Sequence, residues 1–271
     1  MSDELDKSLP VSSSQPPAFC RQQESLFREV IQLLEENRVP FVISGAFALH
    51  EHTGIWRDTK DLDLFLPAQE VARALALLRK DGFSTEILDP VWLAKAWRDG
   101  FFVDLITGMS SAVVRVDYTW VRHASRSTVF GMSVRVLAPA ELIASKIFVT
   151  RRERFDGADI CHVIYGTRGK LDWSRLMGLI GEHWQMLFWC LVLYHYVYPA
   201  NADYVPNEIW TELLLRFQVE LAHPNTGVDF RGSLIDEKMF AIDVNEWGKR
   251  NILGELRTKA ELIGGQTKEA A

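Results

Sequence analysis

The chain has little cysteine: Cys20, Cys161 and Cys190 are the three thiols in 271 residues. They are odd in number, far apart and form no CxxC pair. This excludes a disulfide framework and a zinc ribbon, and suits the reduced thiols of a cytoplasmic protein. Positive charge is also in short supply. Thirty Lys and Arg face thirty-six Asp and Glu, for a net charge of −6. Affinity for a long nucleic-acid duplex comes from neutralising phosphates. No such partner is expected, although a local basic patch can still hold a nucleotide or a short RNA end. Long hydrophobic runs are missing too. The most apolar stretch, Leu187 to Tyr198, is too short to cross a bilayer and contains His195, so a buried helix is expected and no membrane partner. The opening Met1-Ser2-Asp3-Glu4-Leu5-Asp6 is acidic and polar, unlike a signal peptide. The histidines lack ligand spacing. His50 and His52, two apart on an expected helix, do not share a face. His123, His162, His183, His195 and His223 are scattered. No zinc site and no Ser-His-Asp triad can be drawn from them, and no internal repeat is present.

What remains is an ordinary globular composition, 48% hydrophobic and 24% charged, long enough for one large domain or two modest ones. Residues 1–18, with Ser12-Ser13-Ser14-Gln15-Pro16-Pro17, read as a disordered lead. Leu26, Phe27, Val30, Ile31 and Leu34 recur at helical spacing between Cys20 and Asn37. Phe41-Val42-Ile43 reads as a buried strand, Ala46 to Thr53 as a helix and Asp61 to Leu66 as a second strand. Gln69 to Lys80 is a further amphipathic helix. Phe101 to Thr107, Val113 to Trp120 and Val129 to Leu137 read as strands, with Gly131 at a turn or bulge. Beyond Pro139 the pattern is helical: Glu141 to Arg152, Asp159 to Tyr165, Trp173 to Tyr196 and Asn207 to Leu221, with no convincing strand. The aromatic-rich stretch from Trp184 to Tyr198 reads as a core helix. The expected organisation is an α+β unit over 19–138, a small mixed sheet flanked by helices. An all-helical unit follows over 139–263, and a disordered tail over 264–271.

Two carboxylates stand out. On a strand, alternate side chains share a face. Asp61 and Asp63 therefore point together, while Leu62 and Leu64 point to the core. Paired carboxylates repel unless a cation lies between them, and hard oxygen ligands suit Mg²⁺. Asp104 is the natural third ligand. Apolar Phe101-Phe102-Val103 and Leu105-Ile106 surround it, so it is costly to bury without a partner. Three convergent carboxylates are the minimum for a two-metal phosphoryl-transfer site. Taken alone, the Asp-Leu alternation reads as a strand with one wet face.

The residues around the acids favour the metal site. A strand that ends in glycine and leads into a helix presents free N–H groups to a phosphate. Gly45 permits close approach, Ala46 adds no bulk, and Ser44 offers a hydroxyl. Arg57 matches phosphate oxygens in two-point fashion. Thr59 caps a turn or touches a phosphate. Lys60 alternates with Thr59 and Asp61 and faces solvent.

The pattern Gly45-Ala46-Phe47-Ala48-Leu49, then Gly54-Ile55-Trp56-Arg57-Asp58-Thr59-Lys60-Asp61-Leu62-Asp63-Leu64, resembles the polymerase-β-like nucleotidyltransferase superfamily. It is most similar to the small bacterial branches, the minimal nucleotidyltransferases and the abortive-infection toxin type. The resemblance implies that Asp61, Asp63 and Asp104 are the metal-binding and catalytic carboxylates, with two Mg²⁺ ions in the active complex and a nucleoside triphosphate as donor. It implies further that Lys146, in Ala138-Pro139-Ala140-Glu141-Leu142-Ile143-Ala144-Ser145-Lys146, faces the triphosphate, and that Arg154 and Asp159 form a structural pair. One departure is visible. The family turn is usually Gly-Gly or Gly-Ser, and here it is Gly45-Ala46, so a hydroxyl is lost while backbone contacts remain.

The expectation is therefore a cytoplasmic, Mg-dependent enzyme that moves a nucleotidyl group to an acceptor hydroxyl and releases pyrophosphate. The acceptor is a small molecule, a protein or an RNA end, with room for a regulating protein partner. Two alternatives stand beside it: a non-catalytic nucleotide- or partner-binding relative, such as one half of a toxin–antitoxin pair, and an interaction protein whose acids are surface residues.

Overall fold

The computed structural model describes residues 15–265, with side chains to residue 261. Most of the lead and tail expected at 1–18 and 264–271 lies outside this range. Gly264 and Gly265, placed in the tail, belong to the last helix. Helix α1 (Arg21–Glu36) buries Leu26, Phe27, Val30, Ile31 and Leu34, the residues its periodicity singled out. Each large apolar side chain contributes about 1.5–3 kcal/mol on full burial. The Cys20 thiol caps the helix by accepting the Gln23 N–H at 3.5 Å. Strand β1 (Val42–Ile43) follows, then α2 (Gly45–Thr53), β2 (Leu62–Phe65) and α3 (Val71–Lys80). Leu62 and Leu64 are fully buried, so the core face of β2 is the expected one. Asp61 sits in the bend just before β2 rather than within the strand.

The sheet is larger than the sequence suggested. Strands β3 (Ser84–Asp89), β4 (Leu93–Arg98) and β5 (Phe101–Ile106) form an antiparallel meander on one side. Helix α4 (Tyr118–His123) and the hairpin β6 (Ser125–Val129)–β7 (Met132–Val136) complete the other side. The order is β3-β4-β5-β2-β1-β7-β6, seven strands in a mixed sheet. Strands β2 and β5 run parallel, as do β1 and β7. Gly131, at φ +74°, takes the hairpin turn between β6 and β7. The strand expected over Val113–Trp120 is absent. A loop with a single bridge, Gly108 to Arg115, leads instead into α4, whose N-cap Asp117 accepts the Thr119 N–H at 2.7 Å. Val114 and Val116 are buried, so their apolar character reflects a packed loop.

The C-terminal part is mostly helical: α5 (Pro139–Lys146), α6 (Gly157–Gly166), α7 (Trp173–Ile180), α8 (Trp184–Val197), α9 (Asn207–Ala222), α10 (Gly232–Ile235), α11 (Ala241–Asn245) and α12 (Ile252–Gly265). Two corrections apply. The helix expected from Glu141 to Arg152 ends at Lys146, and a two-stranded hairpin, β8 (Thr150–Arg151) and β9 (Arg154–Phe155), follows where no strand was expected. Strands of two residues carry no readable periodicity. The helix expected from Trp173 to Tyr196 is broken at Gly181, where φ is +54°. By length and composition alone, the stretch Trp173–Val197 is apolar enough to cross a membrane. In α8 one face is buried (Leu187, Cys190, Leu191, Tyr194), whereas Trp189 and Tyr196 are exposed, so it is a core helix on one side only. One apolar cluster runs from Leu26 to Leu253, without a break at Pro139.

Candidate active site

A row across the sheet builds the centre. In the β2–β5 pair, Asp63 lies directly opposite Asp104; in the β4–β5 pair, Lys95 lies directly opposite Asp104. On the other side of β2 the Ser44 N–H donates to the Asp63 carbonyl at 2.9 Å. Asp61 joins from the bend. One carboxylate oxygen from each of Asp61, Asp63 and Asp104 can be chosen so that all three lie within 4.8 Å of one another. Parallel pairing of β2 with β5 is what makes the third acid convergent.

Gly45 is required here on two counts. Its φ is +58°, a conformation that side chains disfavour. A Cβ at this position would lie 1.9 Å from Asp63 Oδ2. The turn and the carboxylate are therefore packed against each other. Ser44 is buried and its side chain does not cap α2, so the first-turn amides are not satisfied by that hydroxyl. Ala46 follows in the first turn, partly exposed. Thr59 Oγ1 donates to Asp61 Oδ1 at 2.7 Å, which gives it the job of orienting that acid.

The electrostatics are strained in the way a cation would relieve. Burial pushes the Asp63 carboxyl up to about 7, and the neighbouring charges of Asp61 and Asp104 add to this. Burial also raises Asp104, against the opposing pull of Lys95. Lys95 Nζ is 3.2 Å from Asp104 Oδ1. Its approach falls outside hydrogen-bond geometry, so the contact is an ion pair without a directional bond.

Beside the acids lies a cluster of cations. Lys146 Nζ donates to Asp156 Oδ2 and to Asp159 Oδ2, each at 2.8 Å. Arg57 Nε donates to Asp159 Oδ1 at 2.8 Å. Arg154 grips Asp156 at two points, 3.0 and 3.1 Å. Arg154 was expected to pair with Asp159, and this is corrected. Arg154 opens β9, two residues before Asp156, while Asp159, in the first turn of α6, reaches Arg57 and Lys146. Burial alone would lower the Lys146 ammonium, but Asp159 and Asp156 outweigh it and the net shift is upward. Lys146 and Arg154 act on Asp63 in turn, each pulling its carboxyl down. The cations thus lie within electrostatic reach of the acid triad. Lys60, as expected, is exposed.

Lys95 was missed, and Asp156, within the stretch Arg154-Phe155-Asp156-Gly157-Ala158-Asp159 that resembles the family's Arg-Asp-x-x-Asp segment, was given no role of its own. Lys95 sits on a strand that the sequence did not reveal. Asp156 holds the N-cap position of α6, but its carboxylate is taken up by Lys146 and Arg154 instead of capping the helix, which residue type alone does not reveal.

A family model described as "Nucleotidyl transferase of unknown function (DUF2204)" matches residues 23–180, more than half of the chain. The chain belongs to this nucleotidyl transferase family. That bears out the resemblance to the polymerase-β-like superfamily and makes the protein an enzyme whose acceptor is open. Among solved structures, the antibiotic-resistance factor ANT(2'')-Ia is similar at 16% identity and a TM-score of 0.44, over 65% of this chain and 97% of that one. The lincosamide antibiotic adenylyltransferase LnuA, bound to lincomycin, is similar at 14% identity and a TM-score of 0.37, over 52% and 95%. An antigenic nucleotidyltransferase-like protein from Paracoccidioides brasiliensis is similar at 18% identity and a TM-score of 0.40, over 72% and 94%. No curated protein matches in sequence. The matched span of the nucleotidyl transferase family holds the triad, the Gly45 turn, Lys95 and the Arg57–Lys146–Arg154 cluster.

Nucleotidyltransferases use a divalent metal, and the residues here fit one. The three acids supply hard oxygen donors at converging positions. Asp63 is held proton-hungry by burial and by its acidic neighbours, which a divalent charge would reverse.

Proposed function

We propose that the protein is a magnesium-dependent nucleotidyltransferase that moves a nucleotidyl group from a nucleoside triphosphate to an acceptor hydroxyl and releases pyrophosphate. The observation that carries this reading is the convergence of Asp61, Asp63 and Asp104 against a glycine turn. Asp61, Asp63 and Asp104 would hold the magnesium ions. When bound, the ions neutralise phosphate charge at the reacting centre.

The chain's own groups do the rest. The backbone of the Gly45-Ala46 turn binds phosphate oxygens at the start of α2, with Ser44 behind it. Arg57, Lys146 and Arg154 outnumber Asp156 and Asp159, so the cluster keeps a net positive charge for the triphosphate. Thr59 fixes the orientation of Asp61. Asp104, raised by burial, accepts the proton from the acceptor hydroxyl as that oxygen attacks the α-phosphate. Rate is supplied mainly by positioning and charge neutralisation.

The acceptor is a small molecule, a protein side chain or an RNA end; the net charge of −6 disfavours a long duplex. Lysate incubated with α-labelled triphosphates and magnesium tests the reading. A nucleotide adduct that the protein forms and that Asp61→Asn abolishes is the expected result. Triphosphate binding without any adduct or pyrophosphate would instead favour a non-catalytic relative.

A further inference from the structure

Asp104 differs from its two partners in having a cation directly across the ladder. Antiparallel pairing of β4 with β5 sets Lys95 opposite Asp104. The Lys95 ammonium also lies 3.7 Å from the centroid of the Phe102 ring, two residues before Asp104 on the same face of β5. Strand register, the ring and the carboxylate together hold the ammonium at the edge of the triad. Both side chains are largely shielded, at 25% and 14% exposure, so solvent screens the pair only in part. Lys146 and Arg154 lean on Asp156 and Asp159, whereas Lys95 pairs with Asp104 itself.

We propose that Lys95 is a positioning residue that, through its ion pair with Asp104, weakens divalent-cation binding at the triad until the triphosphate arrives. This rests on the reading of the triad as a metal site. The reasoning is charge balance. With a divalent ion bound the three carboxylates are ionised and carry three negative charges, and Lys95 leaves two, which that one ion neutralises. A second ion then meets a cluster already balanced, with an ammonium fixed at one of its ligands. The triphosphate brings the negative charge that makes a second ion favourable. Lys95 Nζ meets Asp104 at Oδ1, so this oxygen is contested between the lysine and the incoming ion.

Titration of Mn²⁺ into the nucleotide-free full chain, followed by calorimetry and by the free-ion paramagnetic signal, tests this. Lys95→Met keeps the aliphatic stem and removes the charge. It should bind Mn²⁺ about tenfold tighter than wild type and take up more ion per chain. Lys95→Arg should behave as wild type. A merely structural lysine would leave the affinity unchanged or weaken it on removal, and either outcome overturns the proposal. Lys95→Gln serves as the second neutral variant, and circular dichroism establishes that each variant is folded. Asp61→Asn/Asp63→Asn separates the two claims. If wild type binds Mn²⁺ and the double variant does not, failure of Lys95→Met counts against the role of Lys95 alone. If wild type binds none, or the double variant binds equally, the triad reading falls and the Lys95 role with it.

Discussion

Neutralising Asp63 should stabilise the metal-free protein at alkaline pH and do little at acid pH. The folded carboxyl is raised from its ordinary 3.8 to about 7. Between these values the unfolded chain has lost its proton while the folded chain retains it. Stability therefore falls as pH rises across that window and is flat above it. A rise from 3.8 to about 7 corresponds to about 4 kcal/mol. Asp63→Asn keeps the shape and removes the ionisation. Urea denaturation of both proteins in chelator at pH 4.5 and pH 8 reads the effect. The difference between variant and wild type cancels most other titrating groups. It should grow by a few kcal/mol between the two pH values, in favour of the variant. Mg²⁺ at pH 8 should close part of the gap by stabilising wild type selectively. A difference independent of pH, or a variant less stable than wild type at pH 8, would refute the electrostatic account of the site.

Gly45→Ala should fold with a loss of about 1–2 kcal/mol for its left-handed backbone and lose most metal affinity, because the added Cβ occupies the place of Asp63 Oδ2; calorimetry with Mn²⁺ and a denaturation curve check both. Thr59→Val removes the hydroxyl that holds Asp61 and should weaken Mn²⁺ binding about tenfold, the scale of one hydrogen bond to a charged group. Asp159→Asn breaks the largely buried contacts to Arg57 and Lys146 and should cost about 3 kcal/mol, with inorganic triphosphate restoring melting temperature more in the variant than in wild type. Asp104→Asn should abolish adduct formation while leaving triphosphate binding measurable by calorimetry.

The elements nearest the site were the legible ones. Leu26, Phe27, Val30, Ile31 and Leu34 announce α1, and Leu62 and Leu64 fix which face of β2 carries the acids, because large buried side chains leave a strong periodic signal. Strands β3 and β4 left none. β3 is an edge strand exposed along most of its length, and β4 buries only Ala94 and Ala96 at its alternating positions. With β4 unseen, Lys95 could not be placed opposite Asp104. The reverse error occurred at Val113–Trp120, where buried valines in a packed loop imitated a strand. Asp104 was legible because an acid amid apolar residues demands a partner. Arg57, Lys146 and Asp159 were named as well, but their joint contact depends on how α6 docks against α2 and α5, which no local pattern encodes.

The most direct test is binding of a nucleoside triphosphate in millimolar magnesium, measured by calorimetry on wild type and on Asp61→Ala/Asp63→Ala. Binding that strengthens with Mg²⁺ and vanishes in the double variant is the expected result. Absence of triphosphate binding to the folded wild-type chain in magnesium, or binding indifferent to both metal and the two aspartates, would contradict it.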